Sequence, residues 1–197
     1  MLRSVLALVL VSIAAVAAAG PTEKRVYHNT RVKLRAAHGY QVEVWKLDKK
    51  GANPQFVESI LFDLKRGFRI SQKAGPIRIA NHTQVWSRDE VGNAKVSKRD
   101  DESEPNYLEM YVGKDRIGPT SWGNAAERVA FDGMHCYRLN PMYGEHVNSV
   151  VTLFVDAKSF LPAGYSESFQ GNWSATYSFR NLRLNPKIDA KAFLFPK

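Results

Sequence analysis

Residues 149–197 read SVVTLFVDAKSFLPAGYSESFQGNWSATYSFRNLRLNPKIDAKAFLFPK, and this stretch decides the fold class. It contains three strand-like runs in a row, at 150–155, 161–169 and 173–184, with turn residues between each pair. In the third run two sets of side chains alternate: Ala175, Tyr177 and Phe179 against Thr176, Ser178 and Arg180. Alternation with period two, interrupted by turns at short intervals, is typical of an antiparallel meander with one solvated face.

The N-terminus has the pattern of a secretory signal peptide. A short basic region at residues 1–3 precedes small apolar residues at 5–16, and the alanines at 17–19 fit an A-x-A cleavage site before Gly20. An uncleaved membrane anchor is the alternative, but the apolar run is shorter than the ~20 residues that a spanning helix needs. The sequence therefore predicts a signal peptide at residues 1–19 and a single exported domain at residues 20–197.

The chain is basic, with a formal net charge of +9 at pH 7. In an exported protein, this charge favours anionic lipid headgroups or an acidic partner over nucleic acid. A charge that only keeps the protein soluble is an equally good interpretation. Cys136 is the single cysteine, which excludes an internal disulfide, so stability has to come from packing.

Upstream of residue 149 the sequence predicts one helix followed by a meander. The helix covers residues 22–37, where Thr22 can act as the N-cap and no Gly or Pro intervenes. Strands are predicted at 40–45, 56–65, 68–71, 77–79, 85–87 and 133–139. Residues 89–106 are interpreted as a solvated loop, 108–112 as a short strand or helical turn, and 120–130 as a short helix. This polar middle is expected to be an insertion or a cover over a single sheet.

The candidate catalytic and metal-binding residues lack the spacing that their chemistry requires. His135 and Cys136 are neighbours on a predicted strand, so their side chains point to opposite faces and cannot readily exchange a proton. The five histidines show no H-x-x-x-H or H-x-H spacing, and the acidic run at 100–104 lacks the glycine of a calcium loop. The sequence also lacks a phosphate-binding glycine loop and a dinucleotide fingerprint. These patterns predict that the protein is not an enzyme and holds no metal or cofactor.

Large apolar side chains are abundant for a sheet of this length, and two interpretations of them stay open. They can fill an ordinary core. They can also line a curved sheet whose inner surface is only partly covered, which would leave an apolar cavity. Both interpretations need the same alternation, so periodicity does not separate them.

Five motifs follow one another along residues 20–197. Two lie upstream, LKRGFRI at 64–70 and NHTQVW at 81–86, and three lie in the closing stretch, VDAKSFLP at 155–162, FRNL at 179–182 and IDAKAFLFP at 188–196. In their order and spacing they resemble the family of LolA, the periplasmic carrier of bacterial lipoproteins, with its relatives the outer-membrane receptor LolB and the sigma-factor regulator RseB.

The resemblance implies a mainly β (α+β) fold, namely a strongly curved, unclosed antiparallel β-barrel of about eleven strands with helices covering its concave face. It also implies a hydrophobic cavity. Burying an acyl chain away from water is favourable by ~0.8 kcal/mol per CH₂, so such a chain cannot cross water unshielded. The candidate cavity residues are Trp45, Ile60, Phe62, Trp86, Phe154, Phe169, Tyr177 and Phe179. The family ties an arginine at the position of Arg66 to lid closure and lipoprotein release, so the same role is expected of Arg66.

The function that the resemblance implies is carriage of a lipoprotein or lipid through the periplasm toward the outer membrane. The expected partners are the acyl chains themselves, an inner-membrane releasing complex and an outer-membrane acceptor. The protein is expected to be a monomer and not to bind nucleic acid. The alternative is an RseB-like sensor or adaptor that binds lipid or protein at the membrane surface.

Overall fold

The structure is a computed structural model that describes residues 20–47, 53–73, 75–99, 107–108, 111, 119–142, 149–169 and 173–196. The predicted signal peptide at 1–19 and the acidic run at 100–104 lie outside the described residues. Most of the predicted strand or helical turn at 108–112 also lies outside them.

The helix α1 (Glu23–Ala36) confirms the prediction made for residues 22–37. Thr22 is its N-cap, and the side-chain oxygen of Thr22 accepts a hydrogen bond from the backbone N–H of Arg25 at 3.3 Å. Such a cap satisfies one of the backbone donors that the first helical turn leaves without a partner. The helix ends where Ala37 adopts an extended backbone. Within the described part of the chain, no helix combines the length and the apolar character needed to cross a bilayer.

The described residues form one antiparallel sheet of eleven strands, as the resemblance implied. The strands are β1 (Gly39–Leu47), β2 (Gln55–Asp63), β3 (Gly67–Ser71), β4 (Ile77–Ala80), β5 (Gln84–Arg88), β6 (Ala94–Lys98), β7 (Glu127–Phe131), β8 (Met134–Leu139), β9 (Ser149–Asp156), β10 (Pro162–Phe169) and β11 (Trp173–Leu184). Their order is β6-β5-β4-β3-β2-β1-β11-β10-β9-β8-β7, so β6 and β7 are the two edges and the sheet is not closed. The predicted meander at 149–197 is confirmed as β9, β10 and β11.

Two strands contradict the sequence predictions. The strand β6 lies inside residues 89–106, which were predicted as a solvated loop, and all five of its residues are exposed. The strand β7 takes up part of residues 120–130, which were predicted as a short helix, and only Phe131 of β7 is buried. Both are edge strands with little burial, and each has only two apolar residues of one parity, Ala94 and Val96 in β6 and Val129 and Phe131 in β7, which is a weak strand signal.

The main core lies between α1 and one face of the sheet, which we call the inner face. The opposite face is called the outer face. Val26, Tyr27 and Leu34 of α1 are buried in one cluster with side chains from both halves of the sheet. The sheet residues of this cluster include Val42, Val44, Ile60, Phe68, Ile70, Tyr137, Leu153, Val155 and Phe179. The inner face therefore collects apolar side chains from widely separated parts of the chain.

Three β-bulges bend the sheet and change which residues share a face. Glu58 pairs with Val44 but Phe56 pairs with Trp45, so Val57 is an extra residue in β2. The register between β1 and β11 also shifts opposite Asn181, which adopts a left-handed backbone with φ of 55°. The third shift lies between Pro162 and Gly164 of β10. Bulges increase the local twist and bend the strand that carries them.

Candidate functional site

Four of the predicted cavity residues lie on the inner face. Ile60 pairs with Val42, and Phe62 stacks on Tyr40 with 5.1 Å between ring centroids. Phe179 and Tyr177 lie on the neighbouring strand β11, where Phe179 pairs with Val44 and Tyr177 with Lys46. All four belong to the main cluster, Ile60 and Phe179 as buried members and Phe62 and Tyr177 as half-buried ones.

Three other predicted residues lie on the outer face. Trp45 follows the inner-face residue Val44, and Trp86 follows the inner-face residue Val85. Phe154 lies between Leu153 and Val155, both of which point into the main core. It stacks on Phe131 at 3.9 Å in a smaller cluster of the outer face.

Phe169 ends β10, and its side chain lies outside the described residues. The ligand-binding role assigned to the eight predicted residues stays a prediction.

A cluster of tyrosines lines the inner face beside Phe179, and the sequence patterns did not single it out. The rings of Tyr165 and Tyr177 lie 5.1 Å apart, and Tyr107 meets Tyr177 at 6.0 Å. Phe179 lies 6.0 Å from Tyr165 and 6.5 Å from Tyr107. We call Tyr107, Tyr165 and Tyr177 the tyrosine cluster. The alternation of side chains within residues 161–169 could have placed Tyr165 on the inner face. Tyr107 follows a polar stretch of sequence that has no periodic pattern, so no signal pointed to it.

The tyrosine cluster is flanked by two acidic residues that also face inward. Glu58 is buried, and burial raises the pKa of its carboxyl, while Arg78 and hydrogen bonds from Gln72 and Tyr107 act against that shift. Glu167 pairs with Val151 of the main cluster, and burial raises its pKa as well.

Burial likewise raises the pKa values of all three tyrosines, and the charge of a nearby glutamate raises them further. The tyrosine hydroxyls therefore stay protonated at neutral pH and can donate hydrogen bonds. The result is an apolar wall with a few polar groups, which is the usual composition of a ligand-binding surface.

Residues from the polar middle of the chain pack onto the inner face, as expected for a cover. Leu108 and Tyr111 are buried in the main cluster. The Tyr111 hydroxyl lies 2.9 Å from the backbone oxygen of Phe154, contacts that of Gly164, and accepts a hydrogen bond from the Phe154 N–H at 3.2 Å. The Tyr111 side chain therefore ties this part of the chain to β9 and β10.

The contact between α1 and residues 119–126 adds to the cover. Trp122 packs on Tyr27 with 4.6 Å between ring centroids. The carboxylate of Glu23 is buried and accepts a hydrogen bond from the Gly123 N–H at 3.0 Å. The helix α1 and Trp122 thus pack together against the main cluster.

Arg66 contacts the C-terminal segment. Its Nη1 donates to the backbone oxygen of Ile188 at 3.0 Å, and its own backbone N–H donates to Asp63 Oδ1 at 3.0 Å. The neighbouring Arg69 reaches the backbone oxygen of Ala192 at 3.4 Å, in the short 3-10 helix Ala190–Phe193. Arg66 is therefore placed to hold the chain end against β3, and its role in lid closure and release stays a prediction.

The His135–Cys136 pair is arranged as the strand geometry predicted. The His135 side chain is exposed, while Cys136 is fully buried on the outer-face side of β8. Burial raises the pKa of the Cys136 thiol to about 12, and the charges of Asp156 and Asp132 contribute. The thiol is therefore protonated at neutral pH and is a poor nucleophile. Among the described residues, no group of three or more His, Cys, Asp or Glu side chains is arranged to hold a metal ion.

An open groove of about 560 Å³ lies on the outer face beside Trp45 and Phe56. Phe56 meets Trp45 edge-on at 5.4 Å, and the Arg180 guanidinium lies 4.6 Å from the centre of the Trp45 ring. The indole N–H of Trp45 donates to Glu43 at 3.3 Å. These contacts fix the ring on the outer face, so Trp45 and the inner-face residues do not line one cavity.

Comparison with known proteins supports the fold and no more than the fold. No protein-family model matches the chain, and no curated protein matches it. An uncharacterized protein from Thermus thermophilus matches with a TM-score of 0.53 and 10% identity, over 88% of this chain and 94% of that one.

A LolA superfamily protein from Nitrosomonas europaea matches with a TM-score of 0.43 and 7% identity, over 89% of this chain and 99% of that one. MucB, solved in complex with MucA, matches with a TM-score of 0.38 and 12% identity, over 86% of this chain and 58% of that one. At such low identities the likeness to the Thermus protein shows a shared fold, and the two weaker matches add no argument about function.

Proposed function

We propose that the protein is a periplasmic carrier that shields the acyl chains of a lipoprotein or lipid during transfer toward the outer membrane. The proposal rests on the apolar surface of the inner face. There Ile60, Phe62, Tyr177 and Phe179 all pack in the main cluster, together with α1 and with Leu108, Tyr111 and Trp122 from the described part of residues 107–126. An acyl chain can replace some of these covering residues against the sheet without exposing the apolar wall to water.

The cover is attached in a way that favours opening. Tyr111 anchors one part of it through its hydroxyl, and α1 is joined to the sheet by side-chain packing. The sheet edges β6 and β7 do not pair with each other in the part of the chain described here. Residues 120–121 are held to Met142 by backbone hydrogen bonds, whereas α1 and Tyr111 are attached through side chains and can separate from the sheet without breaking the strand ladder.

Several further expectations belong to the same proposal. Residues 1–19 are the signal peptide, residues 20–197 form the lipid-binding domain, and the protein acts as a monomer in the periplasm. It receives its cargo at an inner-membrane complex and delivers it to an outer-membrane acceptor. Arg66 contributes to release through its contact with the C-terminal segment.

The test is lipid bound to the exported protein, measured by native mass spectrometry and by extraction. Two phenylalanines form a matched pair: Phe62 stacks on Tyr40 on the inner face, and Phe154 stacks on Phe131 on the outer face. Both are half-buried. Phe62→Ala is expected to reduce bound lipid several-fold, while Phe154→Ala leaves the amount of lipid per folded molecule unchanged.

If no lipid co-purifies and no acylated peptide binds, the carrier proposal is wrong. Binding of a peptide that carries no acyl chain, in the same assay, would favour the RseB-like sensor or adaptor instead. Equal loss of lipid from both phenylalanine variants would show that the inner face has no special role.

A further inference from the structure

The helix α1 presents a basic face to solvent. Its buried side consists of Glu23, Val26, Tyr27, Thr30 and Leu34. The remaining positions include five Lys or Arg residues, namely Lys24, Arg25, Arg31, Lys33 and Arg35. The single acidic residue of the helix, Glu23, is buried and bonded to the Gly123 N–H, so it does not offset the charge of the outward side.

The basic residues of α1 are arranged in a stripe. Lys24, His28, Arg31 and Arg35 follow one another at spacings of three or four residues, which places them on one side of a helix. Like charges at these spacings destabilise a helix. Arg31 and Arg35 are such a pair, and the stripe concentrates basic residues on one side of the helix. Lys24 and Arg25 are exposed and take part in no ion pair among the described residues, while Arg31 is half-buried beside Tyr27, with its Nε buried.

An apolar side chain lies within this charged surface. Val32 is 53% exposed and falls between the stripe and Arg25 on the helix circumference. The opposite edge of the helix is held to the protein by Lys33, which contacts the backbone oxygen of Ser159 and lies 5.8 Å from the Phe160 ring. We define the basic face of α1 as Lys24, Arg25, His28, Arg31, Val32 and Arg35. Its length is about 16 Å, at roughly 1.5 Å per residue over eleven steps.

We propose that the basic face of α1 docks the protein on an anionic membrane surface. The proposal rests on the carrier function, because a carrier has to meet a bilayer to load or release its cargo. Lysine and arginine side chains near an anionic leaflet strengthen binding on the order of fivefold each. The exposed Val32 can enter the boundary between headgroups and acyl chains.

Docking in this orientation has a structural consequence. The helix that faces the bilayer is the same helix that covers the inner face through Val26, Tyr27 and Leu34. The apolar wall is then separated from the membrane by one layer of protein. Movement of α1 at the membrane would open the shortest path between bilayer and inner face.

The experiment measures vesicle binding by the exported protein, whose N-terminus is verified by mass spectrometry for every variant. The probes are vesicles of phosphatidylglycerol and phosphatidylcholine mixed about 3:7, and vesicles of phosphatidylcholine alone. The test variant replaces Lys24, Arg25 and Arg31 by Gln. The control variant replaces Arg88, Lys95 and Lys98 by Gln, which removes the same charge from exposed positions of β5 and β6 at the far edge of the sheet.

The wild-type protein is expected to bind the anionic vesicles and not the zwitterionic ones, with binding that weakens as salt is added. The test variant is expected to bind on the order of 100-fold more weakly, from three contributions of about fivefold each. The control variant is expected to lose less than about fivefold, since its charges lie away from the docked surface. Circular dichroism verifies that both variants fold.

Equal weakening in the two variants would overturn the inference, because binding would then follow net charge. Absence of binding to anionic vesicles would also overturn it, including the case in which the protein binds an acidic protein instead. The docking and carrier proposals fail separately in these assays. The test variant should keep its co-purified lipid, whereas Phe62→Ala should lose lipid and keep its binding to vesicles.

Discussion

The hydrogen-bonded contact between Asp132 and Arg180 leads to the most quantitative prediction. Arg180 donates to the two carboxylate oxygens of Asp132 at 2.8 Å each, and Ser178 also bonds to that carboxylate. The side chains of Arg180 and Asp132 are 32% and 14% exposed, and Ser178 is fully buried. The contact joins the β7–β8 turn to β11, and Arg180 in turn covers Trp45 of β1.

We expect Asp132→Asn to destabilise the protein by about 2 kcal/mol. Each charge-assisted hydrogen bond contributes roughly 1.5–3 kcal/mol, and the partial exposure of Arg180 reduces that gain. Asparagine keeps the size of the side chain and tolerates the left-handed backbone of Asp132, whose φ is 45°. The substitution therefore removes charge without adding backbone strain. At roughly 2–4 °C per kcal/mol for a domain of this size, the melting temperature should fall by about 6 °C.

The assay is urea unfolding at several pH values, with Glu127→Gln as the matched control. Glu127 pairs with Arg138 on the same hairpin, but the two side chains are 56% and 43% exposed. An exposed pair contributes about 0–1 kcal/mol, so the control should lose little stability. Hydrogen bonds from Arg180 hold the pKa of Asp132 below its usual range. The stability from this contact is therefore present above the usual aspartate pKa of about 3.9 and is lost as pH falls through the lowered value.

The difference between wild type and Asp132→Asn should shrink in acid accordingly. A loss below about 0.5 kcal/mol at neutral pH, or an equal loss in Glu127→Gln, would refute the reasoning.

Three further predictions concern single positions. Glu58→Gln should raise the stability of the protein at neutral pH. Burial raises the pKa of Glu58, so the wild-type protein loses stability as the pH rises through that raised pKa. Urea unfolding midpoints from acidic to neutral pH measure this loss, and a pH profile that is the same in the variant and the wild type contradicts the prediction. Gly67→Ala should cost about 3 kcal/mol, because the backbone φ is 114° and a Cβ would lie 2.0 Å from the backbone oxygen of Ala80. Gly92→Ala, with a φ of 95° and open space around it, should cost less; urea unfolding of both variants measures the difference, and equal losses would contradict it. Cys136 should resist thiol reagents at neutral pH until the protein unfolds, since its pKa is raised to about 12; rapid labelling of the folded protein would contradict this.

The alternation of side chains in the sequence predicted which residues of one strand share a face of the sheet, but only where no bulge interrupts that strand. Alternation on 173–184 correctly separated Tyr177 and Phe179 from Ser178 and Arg180. Phe56 has the parity of Ile60, yet the extra residue Val57 moves it to the outer face beside Trp45. A bulge is decided by pairing between strands, so a single strand carries no periodic signal for it.

The composition of the candidate site was predictable in part for a related reason. Ile60 and Phe62 lie in the predicted strand at 56–65 and are among the candidate cavity residues that the resemblance implies. Tyr107 and Glu58 were missed, because a tyrosine after a polar loop and a lone glutamate in a strand are usually solvated. Their burial depends on how the polar middle folds back over the sheet, which is a long-range contact.

The sequence by itself determined the local elements of this protein. Thr22 and the absence of glycine and proline specified α1, and period-two runs with short turns specified the closing meander, because these choices depend on neighbours along the chain. Tertiary structure decided the strands β6 and β7, the bulges, and the division of the aromatic residues between two faces. Those features depend on which strands become neighbours in space. For this reason Phe154 lies on the outer face, while Phe179, from the same stretch of sequence, lies on the inner face.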